Sequence, residues 1–458
     1  MTAAGPIHYA APMDIVICGA GEVGRHSAEV LAPAGHNITI IDHDAAKLAE
    51  VDDAIDVRSM VGNGTRADVL LRAGTDAADL FIGATNIDEI NLLAASVATA
   101  VGCERSVARV HHSAYYEAQG LNYADHLGID HLVCPEFSTA QAIAATLRSP
   151  GSHAVENFAR GAIEMQSITV AENAKAVGVT LKDLKLPAAT LVAAVERADA
   201  ATLPTAETKI EAGDIVTLIG EAKAFEKSVK LFKPEAAGRL KVMVMGGSTQ
   251  GVWLCRELRS RNFAVRLFVM RPGRAQELAE KLPWVTLING DVINSDILLD
   301  ERVDQVDAFV ACTEDEETNI LAAARAKSMG AKSAIAVLQR PTYLHLIGHI
   351  GLDHAFSPRA TAVTEIERLL SGAAVRRLAP LAEGIADVYE VRVPSLAKRA
   401  IDTPLKDLRF PARTIVAAIS RGETVFVPGA DDTIRVGDLV VIIGTADCGK
   451  ELRKMFGG

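Results

Sequence analysis

No stretch of the 458 residues offers the roughly 18 uninterrupted apolar positions that a membrane-spanning helix requires, which excludes a helical span. Aromatic residues make up only 4% of the chain, and Ala, Val, Ile, Leu and Gly dominate. That small, aliphatic composition suits tightly packed α/β layers better than a β-sandwich. The six cysteines (Cys18, Cys103, Cys134, Cys255, Cys312 and Cys448) form no C-x-x-C pair, so a reducing, cytoplasmic setting is expected. Lys and Arg are outnumbered 47 to 58 by Asp and Glu, and the net charge of −11 argues against a nucleic-acid binder. The first 12 residues, MTAAGPIHYAAP, hold no Lys or Arg and no apolar core. They are not a secretion signal and are expected to form a loose extension. The chain lacks a G-x-S-x-G elbow and a Walker Gly-Lys-Thr. No catalytic set is found, so the chain is expected not to be an enzyme, and ATP hydrolysis is not expected.

What the chain does have is half its residues hydrophobic, enough for buried cores and too many for global disorder. Length alone suggests about three domains. The acidic excess is concentrated. Between Met13 and Pro150 there are 19 acids against 8 bases, and the rest of the chain is balanced. Two readings stand side by side: a solvated acidic surface, or a surface that meets a basic partner. Either disfavours docking of this region onto anionic lipid.

The sequence is also written twice. MDIVICGAGEVG at 13–24 matches LKVMVMGGSTQG at 240–251, and ATNIDEINLLAA at 84–95 matches CTEDEETNILAA at 312–323. LGIDHLVCP at 127–135 matches IGLDHAFSP at 350–358, LKDLKLP at 181–187 matches LKDLRFP at 405–411, and EAGDIVTLIG at 211–220 matches RVGDLVVIIG at 435–444. A displacement this steady marks a tandem duplication of a unit near 220 residues, far too long for a solenoid repeat.

Each unit changes character part-way. In 13–150 the runs DIVICG, NITIID, DLFIGA, SVARV and HLVCP read as strands. GRHSAEVLAPAG and NLLAASVATAVG between them read as helices, each with a C-capping Gly near its end. This alternation implies a parallel sheet covered by helices. In 163–232, strands IEMQSITV, TLVAAVER and DIVTLIG and a short final helix describe a small α+β lobe, and the pattern returns near the C-terminus. The expected organisation is an extension over 1–12, a Rossmann-like lobe over 13–150 and a small lobe over 151–238. A second Rossmann-like lobe follows over 239–379 and a second small lobe over 380–458.

Gly19-Ala20-Gly21-Glu22-Val23-Gly24 follows an apolar strand and opens a helix. In a dinucleotide fingerprint the first Gly permits the tight turn. The second lets backbone approach a pyrophosphate, and the third packs helix on strand. The helix N-terminus then faces the phosphates. Asp42 closes strand NITIID, 18 residues after Gly24, where a carboxylate accepts hydrogen bonds from a ribose and disfavours a 2′-phosphate. NAD(H) is therefore expected over NADP(H). Gly62-Asn63-Gly64-Thr65 is expected by the adenine. Thr85-Asn86 is placed at a ribose or phosphate. Arg109 is either a partner of the pyrophosphate or a surface arginine.

The second fingerprint is damaged. Gly246-Gly247-Ser248-Thr249-Gln250-Gly251 carries Ser248 at the middle glycine position. No acid follows strand VRLFVM, where Val269 and Met270 precede Arg271. This lobe reads as mainly structural, or as a site for a different nucleotide at Gly246, Gly247, Ser248, Gly251 and Arg271. Among other candidates, His345, His349 and His354 lack the partners of a metal motif and read as ordinary helix and loop residues. His111 and His112 read as surface residues. Cys18 reads as a small buried hydrophobe, and Glu314–Glu317 as a helix N-terminus.

GAGEVG, the strand-end Asp42, GNGT, GATNIDEIN, ARV and LGIDHLVCP together resemble an RCK (KTN) nucleotide-sensing lobe. LKDL and EAGDIVTLIG resemble the RCK C-terminal lobe. Two such pairs over nearly the whole chain resemble the peripheral regulatory subunits of Trk potassium uptake systems. The resemblance implies a cytoplasmic ring, typically of four chains, beneath a membrane-embedded potassium-translocating subunit. It implies NAD(H) and ATP or ADP as regulatory ligands that are not consumed. It implies NAD contacts at Gly19 to Val23, Asp42, Thr85, Asn86 and Arg109. The competing classes are an NAD-dependent oxidoreductase, for which no proton donor is found, and a scaffold with inactive sites.

Overall fold

A computed structural model of the chain describes residues 12–117, 120–148, 155–158, 163–187, 190–197, 200–234, 239–260, 262–291, 295–340, 343, 347–370, 375–381, 386–395, 397, 400–411, 413–422, 424–445 and 448–456. Residues 1–11 of the expected extension, His345, and Pro150, Gly151 and Gly238 at the expected lobe boundaries lie outside that set.

The first large lobe runs β1 (Asp14–Cys18), α1 (Glu22–Leu31), β2 (Asn37–Asp42), α2 (Ala45–Asp52), β3 (Arg58–Val61), α3 (Ala67–Ala73), β4 (Leu80–Gly83), α4 (Asp88–Val101), β5 (Ser106–Arg109), α5 (Ser113–Tyr116), α6 (Tyr123–Leu127), β6 (His131–Val133) and α7 (Pro135–Arg148). Its six strands are parallel in the order β3-β2-β1-β4-β5-β6. The order reverses between β1 and β4, and open α/β sheets bind ligands beyond the strand ends at that switch point. Central strands buried on both faces explain the unbroken apolar runs; all four residues of β4 are buried. Helix α4 ends at Gly102 in the left-handed conformation, as expected. Helix α1 does not end on a glycine: Ala32, still in helical backbone, is its C-cap, and Pro33 has no N–H with which to continue the ladder.

A small antiparallel lobe follows: β7 (Val155–Phe158), β8 (Ile163–Thr169), β9 (Thr190–Arg197), β10 (Ala200–Thr202), β11 (Ile215–Glu221) and α8 (Ala222–Phe232), with strand order β10-β9-β11-β8-β7. The second large lobe repeats the first as β12 (Leu240–Met245), α9 (Thr249–Glu257), β13 (Phe263–Val269), α10 (Pro272–Lys281), β14 (Thr286–Asn289), α11 (Ser295–Asp300), β15 (Ala308–Ala311), α12 (Glu316–Ser328), β16 (Ala334–Val337), α13 (Ile347–Ile350), β17 (His354–Phe356) and α14 (Pro358–Leu370). The second small lobe comprises β18 (Val375–Leu381), β19 (Ala386–Arg392), β20 (Thr414–Arg421), β21 (Thr424–Phe426), β22 (Leu439–Thr445) and α15 (Cys448–Phe456). Strand β18 spans positions 379 and 380, so this sheet begins ahead of the division expected from sequence.

Like lobes pair with like. One compact unit is Met1–Ile143 with Leu240–Gly372, and the other is Ala144–Arg239 with Ala373–Gly458. In the first unit α1 packs on α14. Val23, Ala28 and Leu31 share one buried cluster with Ala362 and Ile366. The reciprocal contact joins α7 to α9, where the Phe137 and Trp253 rings lie 4.8 Å apart and Tyr116 adds a third ring 6.4 Å from Trp253. Arg105 donates to the Leu369 carbonyl at 2.7 Å, closing the C-terminal end of α14.

In the second unit the two small sheets share an apolar layer. Met165, Ala193, Ala194 and Ile219 of one meet Ala386, Val388, Ala417, Ala418, Val441 and Ile443 of the other. The opposite face of each sheet packs on its own helix, α8 or α15. Each small sheet is thus covered twice, which is why DIVTLIG and DLVVIIG show no polar alternation.

The repeated Gly-Asp of these segments is a fixed turn. Gly213 and Gly437 hold φ of +85° and +84°. Asp214 then receives Arg197 through both oxygens at 2.7 and 2.8 Å, and Asp438 receives Arg421 at 3.0 and 2.7 Å. Burial alone would raise the Asp214 carboxyl. The Arg197 hydrogen bonds and the Glu211 N–H outweigh it and hold the group below the ordinary carboxylate range. Asp214→Ala is expected to destabilise the protein by about 2 kcal/mol, discounted for the half-exposed arginine. A carboxyl that binds its proton more weakly when folded stabilises fully above its unfolded value near pH ~4. That contribution disappears as pH falls through the folded value. Urea midpoints at pH 7 and at successively lower pH should therefore converge for wild type and Asp214→Ala.

Candidate functional site

The C-terminal ends of β1, β2, β3 and β4 are stitched together around the glycine loop. Gly19 donates to Ile41 O, Gly62 to Asp42 O and Ala84 to Cys18 O, each at 2.8 Å. The three fingerprint glycines then separate by cause. Gly19 has φ +112°, and a Cβ there would stand 2.8 Å from Thr85 N. A Cβ on Gly24 would stand 1.9 Å from Gly19 O. Both are dictated by the fold. A Cβ on Gly21 would meet nothing within 4 Å. Packing makes no demand for glycine there, and the space in front of it is open. Gly21 is also the N-cap of α1 with no side-chain cap, which leaves the helix end available to an anion.

Asp42 is 8% exposed and already engaged. Its Oδ2 accepts the Ala20 N–H at 2.6 Å and its Oδ1 accepts the Asp44 N–H at 2.9 Å. The carboxylate therefore shapes the loop, a role that spacing alone does not show. In the GNGT segment both glycines have packing reasons. A Cβ on Gly62 would lie 2.7 Å from Val69 and one on Gly64 2.2 Å from the Cys18 sulfur. Asn63 is exposed, and its Oδ1 accepts from Thr65 N and Oγ1 at 3.0 and 2.8 Å. Cys18 is buried, and burial pushes its thiol up to about 12, in keeping with a packing role.

Beyond β4 the organiser is Asn91, a residue with no exposed surface that motif reading passed over. Its Oδ1 accepts Thr85 N and Oγ1 at 2.8 and 2.7 Å, and its Nδ2 donates to Thr85 O at 3.0 Å and Arg109 O at 2.9 Å. Asp88, also buried, accepts the N–H groups of His111 and His112 at 2.9 Å. Asn319 and Glu316 repeat both arrangements in the second lobe. The signal was present: TNIDEIN and TEDEETN share that asparagine and an acid three positions before it. The N-terminus of α4 and the residues after β5 form a cleft of about 610 Å³ lined by Asn86, Asp88, His111 and Tyr115 among others.

Arg109 is brought to this region with its side chain turned onto Glu136, 3.7 Å away. Glu136 also meets His111 Nδ1 at 2.9 Å. Burial would raise the Glu136 carboxyl, but His111 and Arg109 hold it low. The Arg109 Nε is buried and has no partner among the described residues. His111 is thus a half-buried hydrogen-bond partner of Glu136 and not the surface residue expected; its neighbour His112 is exposed. His349 and His354 are exposed, and no metal-holding cluster is found among the described residues. Asp315 caps α12, as the acidic run suggested.

The second loop keeps the fold's glycines and closes the rest. Gly246 has φ +126°, and a Cβ on Gly251 would lie 2.0 Å from Gly246 O. Ser248, however, caps α9 itself: its Oγ accepts the Gly251 N–H at 3.4 Å and donates to Cys312 O at 2.8 Å. The tether is inverted as well. In place of an acid on the Ala20 N–H, Arg274 donates to the Gly247 carbonyl at 2.9 Å. Arg271 is exposed at the N-cap of α10.

Family comparison decides the lineage. The TrkA-N domain model matches residues 15–135 and 242–358, and the TrkA-C domain model matches 165–233 and 388–457. The chain belongs to the TrkA family. It is 32% identical to the Trk system potassium uptake protein TrkA homolog 1 of Methanosarcina mazei, over 97% of this chain and all of that one. It is 33% identical to the TrkA homolog of Archaeoglobus fulgidus, over 97% of this chain and all of that one. A solved structure titled GsuK channel bound to NAD covers 99% of this chain with 81% of its own, at TM-score 0.60 and 15% identity, and shares the fold. The tandem order of N and C domains expected from sequence is therefore that of a TrkA-type potassium uptake protein, a non-enzymatic family.

Proposed function

We propose that this TrkA protein is the peripheral, cytoplasmic regulatory subunit of a Trk-type potassium uptake system. Its first large lobe binds NAD(H), and ADP or ATP competes for the same cleft. The observation that carries this is the first glycine loop. It is open in front of Gly21, uncapped at α1 and tethered to Asp42, whereas the second loop is filled by its own Ser248. Gly21 to Val23 would take the pyrophosphate and Asp42 the ribose. Thr85, Asn86 and Arg109 would lie further along the cleft. Ligand shifts lobe geometry only by its differential affinity for two arrangements, about 1.4 kcal/mol per tenfold preference. The partner is a membrane-embedded potassium-translocating subunit, beneath which this chain sits at the inner face of the membrane.

Assembly into a homo-oligomeric ring, with four chains as the family resemblance suggests, is supported by a repeated apolar pair. Leu71 and Leu93 are 48% and 52% exposed on α3 and α4. Their counterparts Leu299 and Leu321 are 60% and 69% exposed on α11 and α12. The test is potassium flux through a reconstituted Trk channel with this subunit. Flux is expected to respond to NAD(H), ADP or ATP, and the response should vanish in Asp42→Ala. Flux indifferent to every nucleotide would contradict the reading.

A further inference from the structure

The second large lobe, whose own loop is closed, reaches over the first. Arg359, the second residue of α14, forms an ion pair and hydrogen bond with Glu22, the first residue of α1. Glu22 occupies the fourth position of the glycine fingerprint, next to the open Gly21. The two side chains are unlike in setting: Arg359 is 16% exposed and Glu22 is 69% exposed. A largely buried guanidinium from one lobe is therefore held at the phosphate-facing end of the other by a carboxylate in water.

We propose that Arg359 completes the first-lobe site from the second lobe, by exchanging Glu22 for a phosphate oxygen of the bound nucleotide. This rests on the first loop being the nucleotide site. Guanidinium and phosphate match in fork geometry and charge, and a di- or triphosphate group carries more charge than one carboxylate. The uncapped N–H groups of α1 supply the other half of the cradle. Glu22 is the resting partner, holding Arg359 in place and competing with the ligand for it.

The arrangement runs one way only. At the position equivalent to Arg359, α7 carries Glu136, an acid held by Arg109 and His111 of its own lobe. At the position equivalent to Glu22, α9 carries Thr249. The lobe with the intact loop receives an arginine at the start of its loop helix, whereas the position equivalent to that arginine in the other direction is an acid. Because α14 packs on α1, a ligand that captures Arg359 acts on the contact between lobes as well as on its own cleft.

The test is titration calorimetry of the full chain with NAD, ADP and ATP at two salt concentrations, on wild type, Arg359→Ala, Arg359→Lys, Glu22→Gln and Asp42→Ala, with melting temperatures recorded beside it. Arg359→Ala should weaken binding at least tenfold and flatten its salt dependence, Arg359→Lys should recover part of the loss, and Glu22→Gln should tighten binding. Loss for all three ligands assigns the contact to the pyrophosphate, and loss for ATP alone assigns it to the terminal phosphate; either supports the proposal. If Asp42→Ala weakens binding while Arg359→Ala and Glu22→Gln match wild type, the proposal is overturned and the first-lobe site stands. If wild type binds none of the three, both fall.

Discussion

Gly21→Ala is expected to lower NAD(H) affinity by at least about tenfold while leaving the melting temperature where it was, and Gly24→Ala is expected to do the reverse in emphasis. The two glycines stand three positions apart in one motif but answer to different constraints. A methyl group on Gly24 would sit 1.9 Å from a backbone oxygen that cannot swing aside, so the loop or helix α1 must shift. Overpacking of this kind costs about 1–3 kcal/mol, and an obstacle of backbone puts this site at the upper end. A methyl group on Gly21 meets nothing of the protein's own, and its backbone needs no left-handed conformation. Its cost falls on whatever approaches from outside; tenfold corresponds to about 1.4 kcal/mol. Thermal unfolding and calorimetry on the two variants separate the roles. A Gly21→Ala protein that melts early, or binds as wild type does, would contradict this division.

The second large effect is expected from a residue no motif names. Asn91→Ala should destabilise the first large lobe by about 3–4 kcal/mol, because it strands several buried backbone and hydroxyl groups at once. Asn91 makes four hydrogen bonds, to Thr85 N, Thr85 Oγ1, Thr85 O and Arg109 O, and has no exposed surface. It ties the end of β4 to the end of β5, the floor on which Thr85 and Asn86 stand. Ligand response should fail with stability, so the variant is read by urea unfolding and hydrogen exchange at the β4 and β5 amides. Asn319→Ala should cost a similar amount in the second lobe, where Asn319 binds Thr313 and Val337 O. Unlike Asn91→Ala, it should leave the first-lobe cleft assembled.

Much of the architecture was legible because central strands of parallel sheets are buried on both faces and announce themselves as apolar runs. DIVIC, NITIID, LFIG and SVAR were read that way and form β1, β2, β4 and β5. The edge strand β3 was not, although the opposite edge, β6 within HLVCP, was. β3, RSMV, is exposed at both ends and half-buried between, so it has neither an apolar run nor a clean alternation. β10 and β21, at three residues each, were missed because they are too short to show a pattern. A repeat shows that two units are alike but does not say what they pack against. The joining of large lobe to large lobe rests on Trp253 against Phe137 and α14 against α1, contacts more than a hundred residues apart in sequence. In the first glycine loop, spacing singled out Gly19, Gly21, Gly24 and Asp42. It did not reveal that Asp42 binds the Ala20 N–H, that Glu136 holds Arg109, or that Arg359 comes from the other half of the chain.

The central claim is an asymmetry between two duplicated lobes: one glycine loop open to a nucleotide, the other sealed by Ser248 and Arg274. Calorimetric stoichiometry of NAD(H) binding to the full chain tests it most directly. One ligand per chain is expected, lost in Asp42→Ala and retained in Arg274→Ala. Two ligands per chain, or one that survives Asp42→Ala, would contradict it.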